Sequence, residues 1–217
     1  MRSRTKTTTI LTVLVALVGM VGGPAMAIEE PKFTRVEKSG DFEIRAYAPY
    51  LVAETLVSGE FDDAGNEGFR RLAGYIFGGN RGKRKIAMTA PVAQQASPQG
   101  EPKGEKIAMT APVGQERRGD AWRVTFALPA EIGQADAPIP NDARVTLREV
   151  AARTVASLGF SGTWSPERFA EKKAELLRRC QAKGLKIRGE VQYARYDPPW
   201  TPWFLRRNEV MVEVGRE

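Results

Sequence analysis

The segment that decides the fold is a strand that runs into a turn, and it occurs twice in related form. Residues 52–61 read VAETLVSGEF, and residues 155–164 read VASLGFSGTW. The two segments align without gaps at an offset of 103 residues, and they share Val, Ala, Ser, Gly and a closing aromatic residue. A predicted helix and then predicted strands follow each copy. A repeat of this kind predicts two related strand–helix–strand–strand halves.

The fold class follows from joining these two halves. Their strands can pair into one curved antiparallel sheet with the two helices packed outside it, which is an α+β arrangement and not a doubly wound α/β fold. We expect one domain over residues 28–217, with halves at about 31–113 and 120–217. A groove between the sheet and a helix, or between the halves, is the expected ligand site.

The individual elements are predicted from hydrophobic periodicity and from turn residues. The first helix is expected from Asp62-Asp63, with aspartate as its cap, to about Phe77. Ser165-Pro166 predicts the start of a second helix that runs to about Ala182, with Cys180 on its core-facing side. Strands are predicted over residues 33–47 (a hairpin that turns at 39–41), 50–57, 122–128, 144–150, 153–160, 185–196 and 209–214.

Three glycines weaken the first predicted helix. Gly65, Gly68 and Gly74 each cost roughly 1 kcal/mol of helix stability relative to alanine. Two interpretations remain open at this point. The glycines allow close packing of the helix on a sheet, or they leave room for a flat ligand.

A second repeat is exact, because KIAMTAPV occurs at residues 85–92 and again at 106–113. Apolar and other residues alternate within each copy, which predicts a strand. The polar linker 93–104 then predicts an antiparallel hairpin with a long, mobile loop. Met88 and Met109 fall on the apolar faces of these strands. They could fill the core or adapt to an irregular ligand.

The first 27 residues have the layout of a secretory signal peptide. Arg2, Arg4 and Lys6 precede the uncharged, mostly apolar segment 10–23, and Ala25-Met26-Ala27 is a cleavage motif. We therefore expect an exported, periplasmic protein without a membrane span after cleavage. An uncleaved membrane anchor is the alternative, because the uncharged segment continues to residue 28.

Composition excludes several classes of function. Without the leader the chain has 30 basic and 26 acidic residues, and a net charge of +4 does not predict nucleic-acid binding. The sequence contains one cysteine and no histidine. It therefore has no internal disulfide, no Ser-His-Asp or Cys-His catalytic group and no imidazole metal site. It also lacks a dinucleotide-binding glycine motif and a P-loop.

Two segments are candidates for ligand contacts. The basic run 81–85 is either a solvated loop or a clamp for carboxylate or phosphate groups. The loop 196–208, YDPPWTPWFLRRN, holds three prolines and four aromatic residues. A stiff aromatic loop beside two arginines suits a planar, apolar, anionic ligand. The alternative is that the aromatic residues cover one end of the sheet while Arg206 and Arg207 pair with acids.

KIAMTAPV, the strand WRVTF (122–126) and YDPPWTPWFLRRNEV (196–210), in this order, resemble the SOUL haem-binding protein family. The resemblance covers roughly residues 31–216. It implies a distorted β-barrel built from two pseudo-symmetric halves, each with a helix. It also implies binding of haem or other tetrapyrroles in a shallow apolar groove between the first helix and the loop near the C-terminus.

The resemblance carries site residues over by position. The residues implied to bind the ligand are Phe69, Arg70, Arg71, Leu72, Tyr75, Met88, Tyr196, Pro199, Trp200, Trp203 and Phe204, with Arg70 or Arg71 near the propionates. Histidine is the axial ligand in some members, and this chain has none. Haem would then be ligated weakly by Met88, Met109, Tyr75 or Cys180, or held by shape and propionate pairing alone. The natural ligand could then be a metal-free porphyrin.

The sequence thus predicts a monomeric binding module for a small planar hydrophobic molecule, without a metal site and without enzymatic activity. Two alternatives are weighed against it. One is a small-molecule hydrolase of the related effector-binding fold, with Glu54, Glu149 or Glu190 as the strand carboxylate, although no catalytic constellation marks these residues. The other is a protein-interaction module that uses the Pro/Trp loop.

Overall fold

The structure, a computed structural model, describes residues 28–82, 104–198 and 200–215. The helices are α1 (Phe61–Ile76) and α2 (Pro166–Ala182), and a short 3-10 helix covers Trp203–Leu205. The strands are β1 (Phe33–Ser39), β2 (Phe42–Tyr47), β3 (Tyr50–Ser58), β4 (Asn80–Arg81), β5 (Val113–Arg118), β6 (Ala121–Ala127), β7 (Ile139–Pro140), β8 (Thr146–Val150), β9 (Arg153–Phe160), β10 (Lys186–Arg195) and β11 (Asn208–Gly215).

One large antiparallel sheet forms the scaffold of the described residues. Its nine strands follow the order β1-β2-β9-β11-β10-β5-β6-β3-β8, while β4 and β7 form a separate pair. The predicted α+β class and curved sheet are confirmed. The implied barrel is wrong, because β1 and β8 remain edge strands and the sheet does not close.

The sheet order explains the repeat that the sequence contains. The segments β2-β3-α1-β5-β6 and β8-β9-α2-β10-β11 have the same element order. In the first, β3 lies beside β6, and in the second, β9 lies beside β11. The halves meet between β5 and β10, and each half lends its first strand to the other, since β2 pairs with β9 and β8 pairs with β3.

Both helices pack on the same face of the sheet. Leu72 of α1 is buried in one core cluster with Val124 of β6. Cys180 of α2 is fully buried in a second cluster, as predicted, together with Val210 of β11. Phe61, the first residue of α1, belongs to the second cluster, and its ring centroid lies 5.5 Å from that of Phe169 of α2. The opposite face of the sheet, on which none of the described helices packs, is called the open face below.

The helix starts differ from each other in their capping. Ser165 caps α2 as predicted, since its hydroxyl accepts a hydrogen bond from the Arg168 amide at 3.2 Å. The predicted aspartate cap of α1 is wrong. Glu60 occupies the cap position without a side-chain cap bond, and Asp62 and Asp63 lie in the first turn, where negative charge favours the helix dipole.

The glycines of α1 serve close packing. A Cβ atom added at Gly68 would lie 2.4 Å from a methyl carbon of Val124, and one added at Gly65 would lie 2.6 Å from Oε1 of Gln115. Gly74 is exposed and has nothing within 4 Å of such an atom. At Gly65 and Gly68, therefore, the helix approaches the sheet too closely for a side chain.

The predicted strand at 106–113 is mostly wrong. β5 begins only at Val113, and the preceding residues form a single bridge, between Thr110 and Glu29. The cause lies in the hydrogen bonds of this segment, since the amide of Ile107 donates to the carbonyl of Ile76 at the end of α1. The first KIAMTAPV copy at 85–92 and the linker up to residue 103 lie outside the described residues. Within the described ranges, no helix is long and apolar enough to cross a membrane.

Candidate functional site

The predicted site residues on α1 divide between the core and the surface. Leu72 and Tyr75 are 0% and 2% exposed, and the hydroxyl of Tyr75 donates to the carbonyl of Pro138 at 2.9 Å. Burial raises the pKa of Tyr75 to about 12. Both side chains lie beneath the helix, so neither is open to a ligand in this structure.

Phe69 and the two arginines that follow it lie on the outer side of α1. Phe69 is exposed, and Arg70 pairs with Glu67 one turn earlier. Arg71 reaches back over β3, where its Nη1 atom donates to the carbonyl of Leu56 at 3.1 Å, while its Nε atom donates to Glu67 at 2.9 Å. Arg71 is therefore held against β3, and Arg70 is the more accessible cation.

Tyr196 lies on the open face, away from the helices. It packs beside the cluster of Tyr47 and Met211, and its hydroxyl donates to Glu209 at 2.9 Å. The guanidinium of Arg207 lies 3.7 Å above its ring centre. Burial raises the pKa of Tyr196 well above its ordinary value. Tyr196 thus anchors the start of the C-terminal loop.

The C-terminal loop presents its aromatic side chains to solvent. Trp200 is 81% exposed, and Trp203 and Phe204 are more than half exposed, with ring centroids 5.7 Å apart in an edge-to-face arrangement. The backbone behind them is fixed, because the Gly162 amide donates to the Trp203 carbonyl at 3.1 Å and the Arg207 amide donates to Asp197 at 2.6 Å. The loop therefore holds large apolar side chains outward.

A cationic and aromatic patch adjoins the loop where α1 and α2 begin. The guanidinium of Arg206 lies 4.4 Å above the Trp164 ring, and that of Arg195 lies 5.3 Å from the same ring and 5.1 Å from Phe61. Burial lowers the pKa of Arg195, and Asp62 is its carboxylate partner at 3.6 Å. The Nε and Nη2 atoms of Arg195 are buried without a hydrogen-bond partner.

These residues define what we call the C-terminal aromatic surface. It consists of Trp164, Arg195, Trp200, Trp203, Phe204 and Arg206. The sequence prediction missed Trp164 and Arg195. The sequence did contain a signal for Trp164, because this residue closes the second copy of the repeated segment, at 155–164. Arg195 had none, since only the tertiary structure brings it between the two helix starts.

The remaining candidates for haem contacts differ in their exposure to solvent. Met109 is exposed, whereas Cys180 is buried in the α2 core and burial raises the pKa of its thiol to about 11. Met88 and Pro199 lie outside the described residues, as do residues 83–85 of the predicted basic clamp. No group of three or more His, Cys, Asp or Glu residues in the described ranges could hold a metal ion.

The surroundings of the three carboxylates weighed as hydrolase candidates do not indicate a catalytic role. Glu54 accepts a hydrogen bond from Arg148 at 2.7 Å, Glu149 borders a small surface cavity, and Glu190 is exposed on β10. The deeply buried carboxylates are Glu43 and Glu209, and their pKa values are lowered, not raised, because arginines outweigh the effect of burial. A general acid or base requires a pKa near the working pH.

The described residues form an α+β domain with a nine-stranded antiparallel sheet and two helices on one face. A model of the SOUL heme-binding protein family matches residues 28–213, and the chain therefore belongs to this family. Heme-binding protein 2 of Mus musculus is 28% identical over 205 residues, which cover 88% of this chain and 93% of that protein. Heme-binding protein 1 of Xenopus laevis is 31% identical over 177 residues, with 80% and 84% covered.

Solved structures extend the similarity of fold. The crystal structure of the EcmrR C-terminal domain has a TM-score of 0.54 at 10% identity, and the alignment covers 81% of this chain and 98% of that one. A crystal structure described as a hydrolase from Listeria innocua has a TM-score of 0.52 at 10% identity, with 83% and 94% covered. At this identity the likeness concerns the fold alone. The curated relatives are named as binding proteins, in agreement with the predicted class.

Proposed function

We propose that the chain binds haem or a related tetrapyrrole on the C-terminal aromatic surface, without a histidine ligand. Membership of the SOUL heme-binding family supports the ligand class at family level. The observation that carries the location is the exposure of Trp200, Trp203 and Phe204 on a loop whose backbone is hydrogen-bonded in place. A loop whose backbone is fixed before the ligand arrives loses little conformational entropy on binding.

The apolar face of a porphyrin would be held by stacking. Aromatic pairs contribute about 0.5–1.5 kcal/mol beyond the area they bury. Trp200 and Trp203 offer large ring faces to solvent, and Phe204 supports Trp203 at 5.7 Å. Two such contacts supply a measurable part of a micromolar affinity, which corresponds to about 8 kcal/mol.

The propionates would be held by arginine. Arg195 fits this role because two of its nitrogen atoms are buried without a hydrogen-bond partner, and its ion pair with Asp62 is long at 3.6 Å. A carboxylate beside it would satisfy donors that the protein leaves unsatisfied. Bound iron would supply its usual redox and ligand chemistry, while the protein's own part is to stack, orient and pair.

Because the chain has no histidine, the question is whether binding depends on ligation of the iron or on contacts with the macrocycle alone. Sulfur or oxygen ligands remain, but Cys180 and Tyr75 are buried in the two core clusters. Met109 is exposed, but it does not belong to the C-terminal aromatic surface. We therefore expect binding that depends on the macrocycle and not on the metal. Haemin and metal-free protoporphyrin should bind with dissociation constants that agree within about threefold, or less than 1 kcal/mol.

The test is a titration of the purified protein with haemin and with protoporphyrin, followed by Soret absorbance and tryptophan fluorescence. We expect saturable binding and quenching of fluorescence. Trp200→Ala combined with Trp203→Ala should weaken binding by about tenfold or more. Phe77→Ala is the matched control, because Phe77 is an exposed aromatic residue at the far end of α1.

A second titration isolates the propionates. Arg195→Gln should weaken binding of protoporphyrin by severalfold and leave binding of its dimethyl ester unchanged, because the ester carries no carboxylates. Equal loss for both ligands would remove Arg195 from the proposed role. Lack of saturable binding by any porphyrin would overturn the proposal as a whole, and much tighter binding of haemin would show that iron is ligated.

A second candidate function is a protein-interaction surface. It is favoured by one observation, namely that none of the exposed loop aromatics borders either of the two cavities described in this structure. An apolar patch without a cavity behind it is typical of a contact surface. Sedimentation of the protein and of the Trp200→Ala, Trp203→Ala variant tests self-association. A lower sedimentation coefficient of the variant would support this candidate, and identical coefficients would count against it.

A further inference from the structure

A cavity of about 490 Å³ lies on the open face of the sheet. Its lining residues come from β3, β5, β6, β8, β9, β10 and β11, so both halves contribute to it. Its volume falls within the range of small-molecule sites, which is about 300–1,000 Å³. None of the residues in the proposed tetrapyrrole surface lines it.

Arginine dominates the charges of this cavity. The charged lining residues are Arg118, Arg123, Arg148, Arg153, Arg188, Glu116, Glu190 and Glu213. Two of the arginines are neutralised within the protein, because Arg123 pairs with Glu116 at 2.7 Å and Arg148 pairs with Glu54 at 2.7 Å. Three arginines and two glutamates remain, and Glu213 lies opposite Arg188 in the register of β10 and β11.

Arg153 stands apart from the other arginines. Its Nη2 atom donates to the hydroxyl of Tyr50 at 2.8 Å and lies 3.5 Å from Oε1 of Gln192. Its Nε atom is buried without a hydrogen-bond partner. Among the described residues, no carboxylate lies within 4.0 Å of its guanidinium. The side chain is thus partly desolvated, fixed in position by neutral groups and not compensated by an acid.

Such an arrangement costs stability unless an anion completes it. A cation taken out of water is stabilised by an opposite charge, and buried polar groups normally have hydrogen-bond partners. Tyr50 and Gln192 orient the guanidinium but do not neutralise it. A planar guanidinium binds an oxyanion through parallel hydrogen bonds, which gives both affinity and direction.

The apolar residues of the lining indicate that the ligand also has an apolar part. Val52, Val150, Val155 and Met211 border the same cavity as Arg153. We propose that this open-face cavity binds a small organic anion, with its oxyanion on Arg153 and its apolar part against these side chains. The site is separate from the tetrapyrrole surface and requires no metal.

The probe for this site is anilinonaphthalene sulfonate, an apolar anion whose fluorescence rises on binding. We expect saturable binding that Arg153→Gln weakens by roughly tenfold and that Arg153→Lys restores in part. Arg178→Gln is the matched control, because it removes the same charge from an exposed position on α2. Trp200→Ala should leave the affinity unchanged, which separates this site from the proposed tetrapyrrole surface.

Location and charge preference are tested independently. Amide resonances of Gly189 and Gln192 should shift in labelled protein on addition of the probe, and those of Thr201 and Trp203 should not. Ethidium, an apolar cation, should not compete. Circular dichroism shows whether the Arg153→Gln variant is folded. If that variant does not fold, Tyr50→Phe is used in its place, because it removes the hydroxyl that lies 2.8 Å from Arg153. Unchanged affinity in the folded variant, competition by ethidium, or shifts confined to the loop would each overturn the proposal.

Discussion

Arg45 and Glu209 form a bidentate ion pair beneath the open face, with Nη1–Oε2 and Nη2–Oε1 distances of 2.7 Å and 3.0 Å. Both side chains are buried, and they join β2 of the first half to β11 of the second across β9. Glu43 accepts from Arg45 Nε at 2.7 Å, while Arg207 and Tyr196 also bond to Glu209. The network ties the C-terminal loop to the sheet.

The first prediction concerns the removal of one partner from this network. Glu209→Gln leaves the Arg45 guanidinium buried with one carboxylate fewer, which should lower the free energy of unfolding by about 3–5 kcal/mol. Urea denaturation measures the loss. Glu171→Gln is the control, because it breaks contacts of an exposed carboxylate on α2 and should cost less than about 1 kcal/mol. Equal losses in the two variants would contradict the assigned importance of the buried pair.

The second prediction is a loss of stability in acid. Burial alone would raise the pKa of Glu43, but hydrogen bonds and charge from Arg45, Lys38 and Arg35 outweigh it and hold the pKa at about 2, below its ordinary 4.5. The pKa of Glu209 is also lowered. A carboxylate with a lowered folded-state pKa stabilises the fold fully above its unfolded pKa, and this stabilisation disappears as the pH falls towards the folded value.

The melting temperature should therefore decline between about pH 4.5 and pH 2, with little change from this cause above that window. Glu43→Gln should flatten the decline and lower the melting temperature at neutral pH. Calorimetry over the acid range measures both effects. A melting temperature that is constant or rises on acidification would contradict the charge state assigned to Glu43.

Sequence patterns predicted the elements well wherever the local signal and the tertiary packing agree. Ser165-Pro166 marked the start of α2, and the helix ends at Ala182 as expected. The strand prediction for the second KIAMTAPV copy, at 106–113, was mostly wrong because the alternation of side chains says nothing about the hydrogen-bond partners of the backbone. Ile107 bonds to the end of α1, which no period of two can indicate.

The site was harder to predict than the fold for the same physical reason. The resemblance implied Phe69, Leu72 and Tyr75 as ligand residues, but Leu72 and Tyr75 cover the sheet, and Phe69 is the exposed one of the three. The density of proline and tryptophan singled out the aromatic residues of the loop, but it left open whether they cover the sheet or face solvent. Arg195 and Arg153 could not be singled out from the sequence, because only the three-dimensional structure shows that they have buried nitrogen atoms without a hydrogen-bond partner.

The third prediction compares two glycines of one helix. Gly74→Ala should raise the free energy of unfolding by about 0.5–1 kcal/mol, because alanine is the better helix former and the site is open. Gly68→Ala should lower it by roughly 1–3 kcal/mol, because the new Cβ atom would lie 2.4 Å from Val124 and the core must shift. Urea denaturation of both variants measures the difference. Stabilisation by Gly68→Ala would show that α1 does not pack this closely on β6.

The fourth prediction concerns the single thiol. Cys180 is fully buried among Phe169, Leu176 and Val212, and burial raises its pKa to about 11. At pH 8 about one thiol in a thousand is then ionised, and the thiolate is the form that reacts. A disulfide reagent should leave the folded protein unmodified. In urea it should label Cys180 at once and release one reagent thiol per chain. Rapid labelling of the folded protein would contradict the packing of α2 on the sheet, and it would return Cys180 to the set of accessible haem ligands.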